Sequence, residues 1–503
     1  FAFMAMVFGM FMAILDIQIV SASLAEIQAG LSASSDEVAW VQTAYLIAEV
    51  IMIPLSGFLG RMLSTRVMFT ISAAGFTVTS FLCATSGSIN EMILWRALQG
   101  FLGGGMIPSV FAAAFTIFPK SKQPIVSPMI GLVATLAPTI GPTIGGLLSH
   151  AFSWHWLFLV NVPFGIAVSI SAWTLIDFDK PDFGLFRHFD WWGFAAMAAF
   201  LGSLEYVLEE GPGNDWLSDR AVLTMTVVMT VGALVFFWRT LTRAEPIVDL
   251  RAFNNRNFAF GSIFSFVLGI GLYGLTYLYP LFLGRIRDYD SLMIGKTMFV
   301  SGLSMFVAAP FVGMLSRKVD PRLMIVTGFL GFGASTWMLT GLTADWDFGE
   351  LLVPQILRGV SLMLSMVPIN NLALGTLPPQ RLKNASALYN LTRNLGGAVG
   401  LALINTLLTN RGALHYERLS ETLTWSNPQA MAQMKAISQS LSAAGIDGET
   451  GAVAQMVNTV TKQASIMSFI DVFTLLTALF AALALFALAL RKPEPSGQAA
   501  AAH

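Results

Sequence analysis

The chain has 503 residues, of which 55% are hydrophobic and 11% charged, with a mean hydropathy of +0.69 and a formal net charge of -1. So little polar surface cannot clothe a soluble globule, and so little net charge leaves no basic footprint for nucleic acid; the sequence reads as an all-α polytopic membrane protein. One cysteine, Cys83, excludes a disulfide framework within the chain, and the scattered histidines, His150 and His155 being the nearest pair, have no carboxylate or thiol beside them to complete a metal site.

Apolar runs of about 20 residues, enough to cross a hydrocarbon core as helix, recur between charge clusters and Gly/Pro loops. Fourteen are expected, at 2–22, 38–59, 67–86, 91–116, 124–149, 157–176, 190–209, 220–239, 258–283, 292–315, 323–342, 350–375, 385–410 and 465–490. They lack the alternation of barrel strands and are rich in Ala, Leu, Met and Gly. The chain opens inside an apolar run at Phe1, so a short native leader is expected ahead of it rather than a signal peptide. Ala499 to His503 are set apart from the fold.

Basic residues cluster beside every second boundary: Arg61 and Arg66; Lys120 and Lys122; Lys180 and Arg187; Arg239, Arg243, Arg251 and Arg256; Arg317, Lys318 and Arg322; Arg381 and Lys383; Arg491 and Lys492. The opposite loops are nearly bare of them, so both termini are expected in the cytoplasm. Gly57 to Arg66 (GFLGRMLSTR) and Gly313 to Arg322 (GMLSRKVDPR) match at Gly, at Leu two on, at Arg four on and at Arg nine on. Arg96 before Pro108, and Arg358 before Pro368, repeat the same order. Two six-helix bundles are therefore predicted, 1–176 and 258–490, with two extra spans in a 177–257 insert and a 491–503 tail. The long exterior segment 411–462 predicts short amphipathic helices, starting at Asn427-Pro428, with Met431, Met434, Ile437 and Leu441 on one face. That face would lie on the outer leaflet, dock a partner, or pack on the chain itself as a lid.

Charges inside the spans mark candidate function. Asp16 in span 1 and Arg96 in span 4 fall at similar depths and are expected to pair. Burial raises a carboxylate's pKa and a guanidinium lowers it, so a change in their separation would move a proton. Glu49, alone in an apolar stretch of span 2, is a second candidate for carrying a proton or binding a cationic substrate, or else hydrogen bonds within the bundle. Glu205 lies in the inserted span 7; Glu209 and Glu210 read as its solvated end. In span 5, Gly131, Ala137, Gly141 and Gly145 form a small-residue face, with Pro138 and Pro142 placed to bend it where it rocks against the other bundle. Asn384, Asn390, Arg393, Asn394 and Gly396-Gly397 make a polar stripe on span 13 that should face a central cavity. Gln99, Glu205, Arg358, Asn390, Arg393 and Asn394 are the substrate-cavity candidates. Asp290 to Thr297 (DSLMIGKT) ends like a phosphate loop but lacks the first glycine. With no nucleotide site, energy must come from an ion gradient, and isolated carboxylates favour protons over sodium.

These residues, together with Leu15-Asp16, Trp40, Tyr45 and Pro54, Gln99-Gly100, Gly141-Pro142 with Gly145-Gly146, and Trp154 to Gly165 (WHWLFLVNVPFG), resemble the major facilitator superfamily, in its fourteen-span drug:proton antiporter branch of the EmrB/QacA type. The resemblance implies a proton-coupled multidrug exporter of the bacterial inner membrane, working by alternating access on hydrophobic or amphiphilic compounds, with the proton as coupling ion and no other cofactor. It also implies that the Gly141-Pro142 motif goes with antiport, and that Gly57, Arg61, Arg66, Gly313 and Arg317 belong to conformational loops. In that family an aspartate usually stands at the position of Arg61 and a glycine at that of Ser64. Whether 411–462 meets a periplasmic adaptor and an outer-membrane channel, as in EmrB-type tripartite pumps, stays open. The alternatives are a dedicated metabolite exporter or importer of the same fold, or a membrane sensor or scaffold without transport. An enzyme is not expected, for want of a catalytic constellation.

Overall fold

The computed structural model describes residues 1–243, 245–421, 423, 427–443 and 447–488, and every regular element among them is helical. Arg491, Lys492 and the remainder of the tail lie outside the described residues. Polar caps start the helices where their free N–H groups reach the membrane edge. Ser34 and Glu37 form a reciprocal capping box at the start of α3 (Ser35–Leu63). Asp347 and Glu350 do the same for α15 (Phe348–Leu374).

The first bundle holds α1 (Ala2–Ala22), a short α2 (Leu24–Leu31), α3, α4 (Thr65–Ala84), α5 (Ile89–Gly103) with α6 (Met106–Ile117), α7 (Gln123–Ala151), and α8 (Trp156–Leu159) with α9 (Asn161–Leu175). Then come the inserted α10 (Trp191–Glu210) and α11 (Arg220–Thr242). The second bundle holds α12 (Arg256–Arg287), α13 (Ser291–Leu315), α14 (Pro321–Met338), α15, α16 (Leu382–Glu421), and, after α17 (Pro428–Ala443), α18 (Gly448–Leu488). The halves meet where α7 packs on α13 and where α3 and α6 pack on α16.

Among the described residues thirteen helices are long and apolar enough to cross a membrane, one fewer than the fourteen spans expected. The one that falls short is α16, because the predicted polar stripe occupies it: Asn384, Ser386, Asn390 and Arg393 are all buried. The exterior segment also differs from expectation. Its ends are not separate short helices but continuations of α16 and α18, which run 40 and 41 residues. At 1.5 Å per residue each is about 60 Å long, about twice a hydrocarbon core. Only α17 stands alone, started by Asn427 accepting from the Gln429 N–H at 3.1 Å. Its Met431 and Met434 line a pocket with Tyr416, Leu423, Val453 and Met456 of the flanking segments, so that face packs on the chain itself.

Span 4 is broken at Gly104-Gly105 into α5 and α6. The reason is close packing on α3: a Cβ at Gly104 would lie 2.9 Å from the Glu49 carbonyl oxygen, and one at Gly100 would lie 2.3 Å from that of Tyr45. These contacts set the depth of Tyr45 and Glu49. Gly100→Ala must push two helix backbones apart, at a cost of about 1–3 kcal/mol. A lowered thermal midpoint in detergent is expected, while Gly87→Ala, with nothing within 4 Å of its Cβ, should leave it unchanged.

Candidate functional site

Asp16 is fully buried in α1, and side chains of two neighbouring helices, α5 and α9, answer its charge. Its Oδ2 lies 2.6 Å from Arg96 Nη1 of α5. Its Oδ1 accepts from Asn161 Nδ2 of α9 at 2.6 Å and from Gln99 Nε2 at 3.3 Å. Gln99 also takes a bond from Arg96 Nη1 at 2.6 Å and donates to Ser80 Oγ of α4 at 2.7 Å. Arg96 is held from the other side by the Val41 carbonyl at 3.2 Å and by the Tyr45 ring, 4.2 Å below its guanidinium. The carboxylate is satisfied as an anion by charge-assisted bonds. Pulling away any donor would leave a buried charge partly unanswered and favour protonation.

A few residues away, a cavity of about 100 Å³ opens where the two bundles and the insert converge. Glu49 of α3 and Glu205 of α10 line it, 3% and 6% exposed, and among the described residues neither takes a hydrogen bond or an ion pair. Glu209, one turn on from Glu205, is exposed and also lines it. Gln18, Gln42, Tyr273 and Asn394 complete its polar wall, and no Lys or Arg belongs to the lining.

The candidates therefore divide. Asp16, Arg96 and Gln99 form one network; Glu49, Glu205 and Asn394 belong to the cavity. Arg358, Asn390 and Arg393 do not line the cavity. Arg358 is buried between α15 and α12, donating to Thr276 Oγ1 at 2.7 Å over the Tyr279 ring. Arg393 bonds Asn390 and lies 4.9 Å from the Phe111 ring of the other bundle, so this pair sits in the seam instead. The small face of α7 is divided too. Gly141 and Gly145 approach Gln18 and Ile19 of α1, within their own bundle, and Gly146 is half-buried; Gly131 faces Met363 and Met366 of α15. Pro138 and Pro142 are carried inside one uninterrupted helix, α7.

Away from the cavity, at the end that carries the basic loops, the bundles are tightly joined. A Cβ at Gly57 would lie 3.0 Å from the Asn384 Cα, and one at Gly313 would lie 2.4 Å from the Pro124 carbonyl oxygen. Each repeated glycine thus meets the start of a helix in the opposite half. Asp179 bonds the Thr65 N–H and hydroxyl at 2.9 and 2.8 Å and forms an ion pair with Lys383, whose Nζ also reaches the Gly60 carbonyl at 2.7 Å. Arg61 lies 5.6 Å from the Phe58 ring, Arg66 pairs with Asp177 at 3.9 Å, and Arg317 is exposed. The carboxylate missing at position 61 is supplied to this loop from 179.

The sequence profile of the Major Facilitator Superfamily matches residues 6–401. The chain belongs to that superfamily. It is 42% identical to the colistin resistance protein EmrB of Acinetobacter baumannii, over 94% of this chain and 93% of that one. It is 29% identical to the multidrug export protein EmrB of Escherichia coli K12, over 93% and 91%. It is 30% identical to the fatty acid resistance protein FarB of Neisseria gonorrhoeae, over 94% and 92%. Among solved structures, the human organic anion transporter MFSD10 shares the fold, with a TM-score of 0.58 at 13% identity over 95% of this chain and 98% of that one.

For this member of the superfamily, sequence reasoning singled out neither Asn161, Tyr45 nor Ser80 as part of the Asp16 network, and it missed Asp179 and Lys383 as a pair. Asn161 sits inside the WHWLFLVNVPFG stretch, a buried amide among apolar neighbours, which is a usable signal. Asp179 has none, being one of three nearby aspartates in a loop.

Two outcomes are expected here. Ser64 has φ 75° and ψ 156°, backbone that L side chains rarely adopt, so Ser64→Gly should stabilise the protein by about 1 kcal/mol, read as a raised thermal midpoint. Asp179→Asn should loosen the seam: a cysteine placed at buried Ser386, in a chain with Cys83→Ser, should react several-fold faster with a polar maleimide than in the Asp179 parent.

Proposed function

We propose that this superfamily member is a proton-driven multidrug exporter of a bacterial inner membrane, and the observation that carries the reading is the pair of buried acidic features, Asp16 within the first bundle and Glu49 with Glu205 where the two bundles and the insert converge. The EmrB relatives named as resistance and export proteins support the substrate class, hydrophobic or amphiphilic compounds. The excess of basic residues in the loops at the sealed end supports a cytoplasmic position for that end and both termini, and with it an exterior position for the cavity. In this reading α16 crosses the membrane as a fourteenth span, its polar face turned to the seam instead of to lipid. No cofactor other than the proton is required.

Alternating access then follows from how the parts are attached. Gly141 and Gly145 tie α7 tightly to α1 just beyond Asp16, while Gly131, further along the same helix, abuts α15 of the other half. A tilt of one bundle on the other pulls α7 and with it α1, changing how well Arg96 and Asn161 reach Asp16. Where they reach, Asp16 is an anion; where they do not, it holds a proton. Glu49, without a cation of its own, binds a proton or the positive end of an amphiphile in the same cavity. A gradient supplies about 2.3 kcal/mol per 100 mV for each charge moved. The projecting ends of α16 and α18 with α17 form the surface that would meet a periplasmic adaptor and an outer-membrane channel.

The test is transport in proteoliposomes with ethidium as the probe. Asp16→Asn should fold as judged by size exclusion and yet lose efflux driven by an imposed pH gradient, and Arg96→Lys should lose most of it, because an ammonium cannot reproduce the guanidinium's paired contacts. Undiminished gradient-driven efflux in Asp16→Asn would remove that residue from the mechanism.

A further inference from the structure

Asp16 is fully buried and is not part of the cavity wall, although Ile17 and Gln18 next to it are. A carboxyl that takes up and releases protons needs a donor and acceptor within hydrogen-bond reach, directly or through one water. The insert supplies a path. Helices α10 and α11 are not accessory: α10 packs on α3 of the first bundle and α16 of the second, and Trp216 of the loop between them donates to Thr406 Oγ1 at 3.1 Å. This position brings Glu205 and Glu209 to the cavity that Glu49 lines from the other side.

We propose that Glu209, Glu205 and Glu49 form a proton relay from the exterior mouth of the cavity to Asp16, which makes the inserted helix α10 part of the coupling machinery; this rests on the proton-driven reading given above. Glu209 is exposed and takes the proton from water. Glu205 stands one helical turn deeper on the same face. Glu49 is across the cavity, which at about 100 Å³ has room for bridging water, since one water occupies about 30 Å³ in the liquid. Beyond Glu49, the Tyr45 hydroxyl is buried without a hydrogen-bond partner and within electrostatic reach of Glu49, Asp16 and Arg96. A hydroxyl accepts one proton while giving up its own, so it can complete the last step. At every transfer one O–H bond breaks as another forms, the donor regains its charge and the acceptor loses it.

The groups facing this path from each packed element are consistent with carboxyls trading a proton. Besides the acids they are Tyr45 of α3, Arg96 of α5, Tyr273 of α12 and, beyond Tyr273, Arg393 of α16. Arg96 bonds Asp16 and Gln99, and among the described residues no Lys or Arg forms an ion pair with Glu205 or Glu49.

The experiment uses the full-length protein in nanodiscs, with a soluble pH dye in weak buffer, and follows the rate at which ethidium binding releases protons. Glu205→Gln should slow release at least about tenfold, Glu205→Asp should restore it, and azide, a small diffusible acid and base, should speed the Glu205→Gln protein toward the wild-type rate. Release at the wild-type rate in Glu205→Gln, or a slowed rate that azide leaves untouched, would overturn the relay and leave the antiport reading standing. Absence of ethidium-linked release from the wild-type protein would overturn both. Should Glu205→Gln fail to fold, Glu209→Gln, at the exposed mouth, carries the same test with the same outcomes.

Discussion

A charge placed inside hydrocarbon must be answered by the protein, and this chain answers one at Asp16 with a guanidinium and two amides drawn from α5 and α9. A lone charged side chain at the centre of a span costs about 2.5–3.5 kcal/mol on insertion scales. The Asp16 network removes that cost only in one arrangement of its helices. The local packing follows from this constraint: glycines at 100 and 104 bring α5 onto α3, and glycines at 141 and 145 bring α7 onto α1, so that α5 moves with α3 and α1 with α7. Two stiff helix pairs built this way carry the two sides of the Asp16–Arg96 contact, and a shift of one pair against the other changes it.

Stiffness within each helix pair leaves the rest of the freedom to move at the seam. There the contacts differ in kind at the two ends. Toward the basic loops, backbone meets backbone at Gly57 and Gly313, and Asp179 with Lys383 closes the junction by charge. Toward the other end, the seam opens into a cavity whose wall carries carboxylates without cations. The seal combines close backbone crossings with a few polar bonds, and those bonds can break and re-form. Arg61 does not hold it; the charge on the latch has moved to 179, where the linker leaving α9 brings it beneath the start of α4.

Much of this was legible in the residues. Length and composition gave the membrane class, the spacing of basic loops gave the internal repeat, and Asp16 with Arg96 read as a pair because their depths along two spans agree. The repeat has a structural meaning that spacing alone did not carry: its glycines make equivalent crossings, Gly57 against the start of α16 and Gly313 against the start of α7. What sequence could not reach were partners brought from far along the chain. Asn161 stands 145 residues from Asp16, and Lys383 stands 204 from Asp179, and neither spacing has a period to detect. The difference between fourteen expected spans and thirteen apolar helices has a related reason. A hydropathy rule asks whether a helix suits lipid, whereas α16 is covered by α12, α3 and α6, so its polar residues meet protein. The exterior segment misled because its polarity was taken to end the spans, when α16 and α18 continue through it as helix beyond the bilayer.

The central claim is that the carboxyl of Asp16 changes protonation as the bundles move. Infrared difference spectroscopy of the protein with and without ethidium reads carboxylic acid groups directly through their C=O stretch. A protonated-carboxyl band should appear or vanish between the two states and be missing from the difference spectrum of Asp16→Asn. A difference spectrum in Asp16→Asn identical to that of the wild-type protein would contradict it.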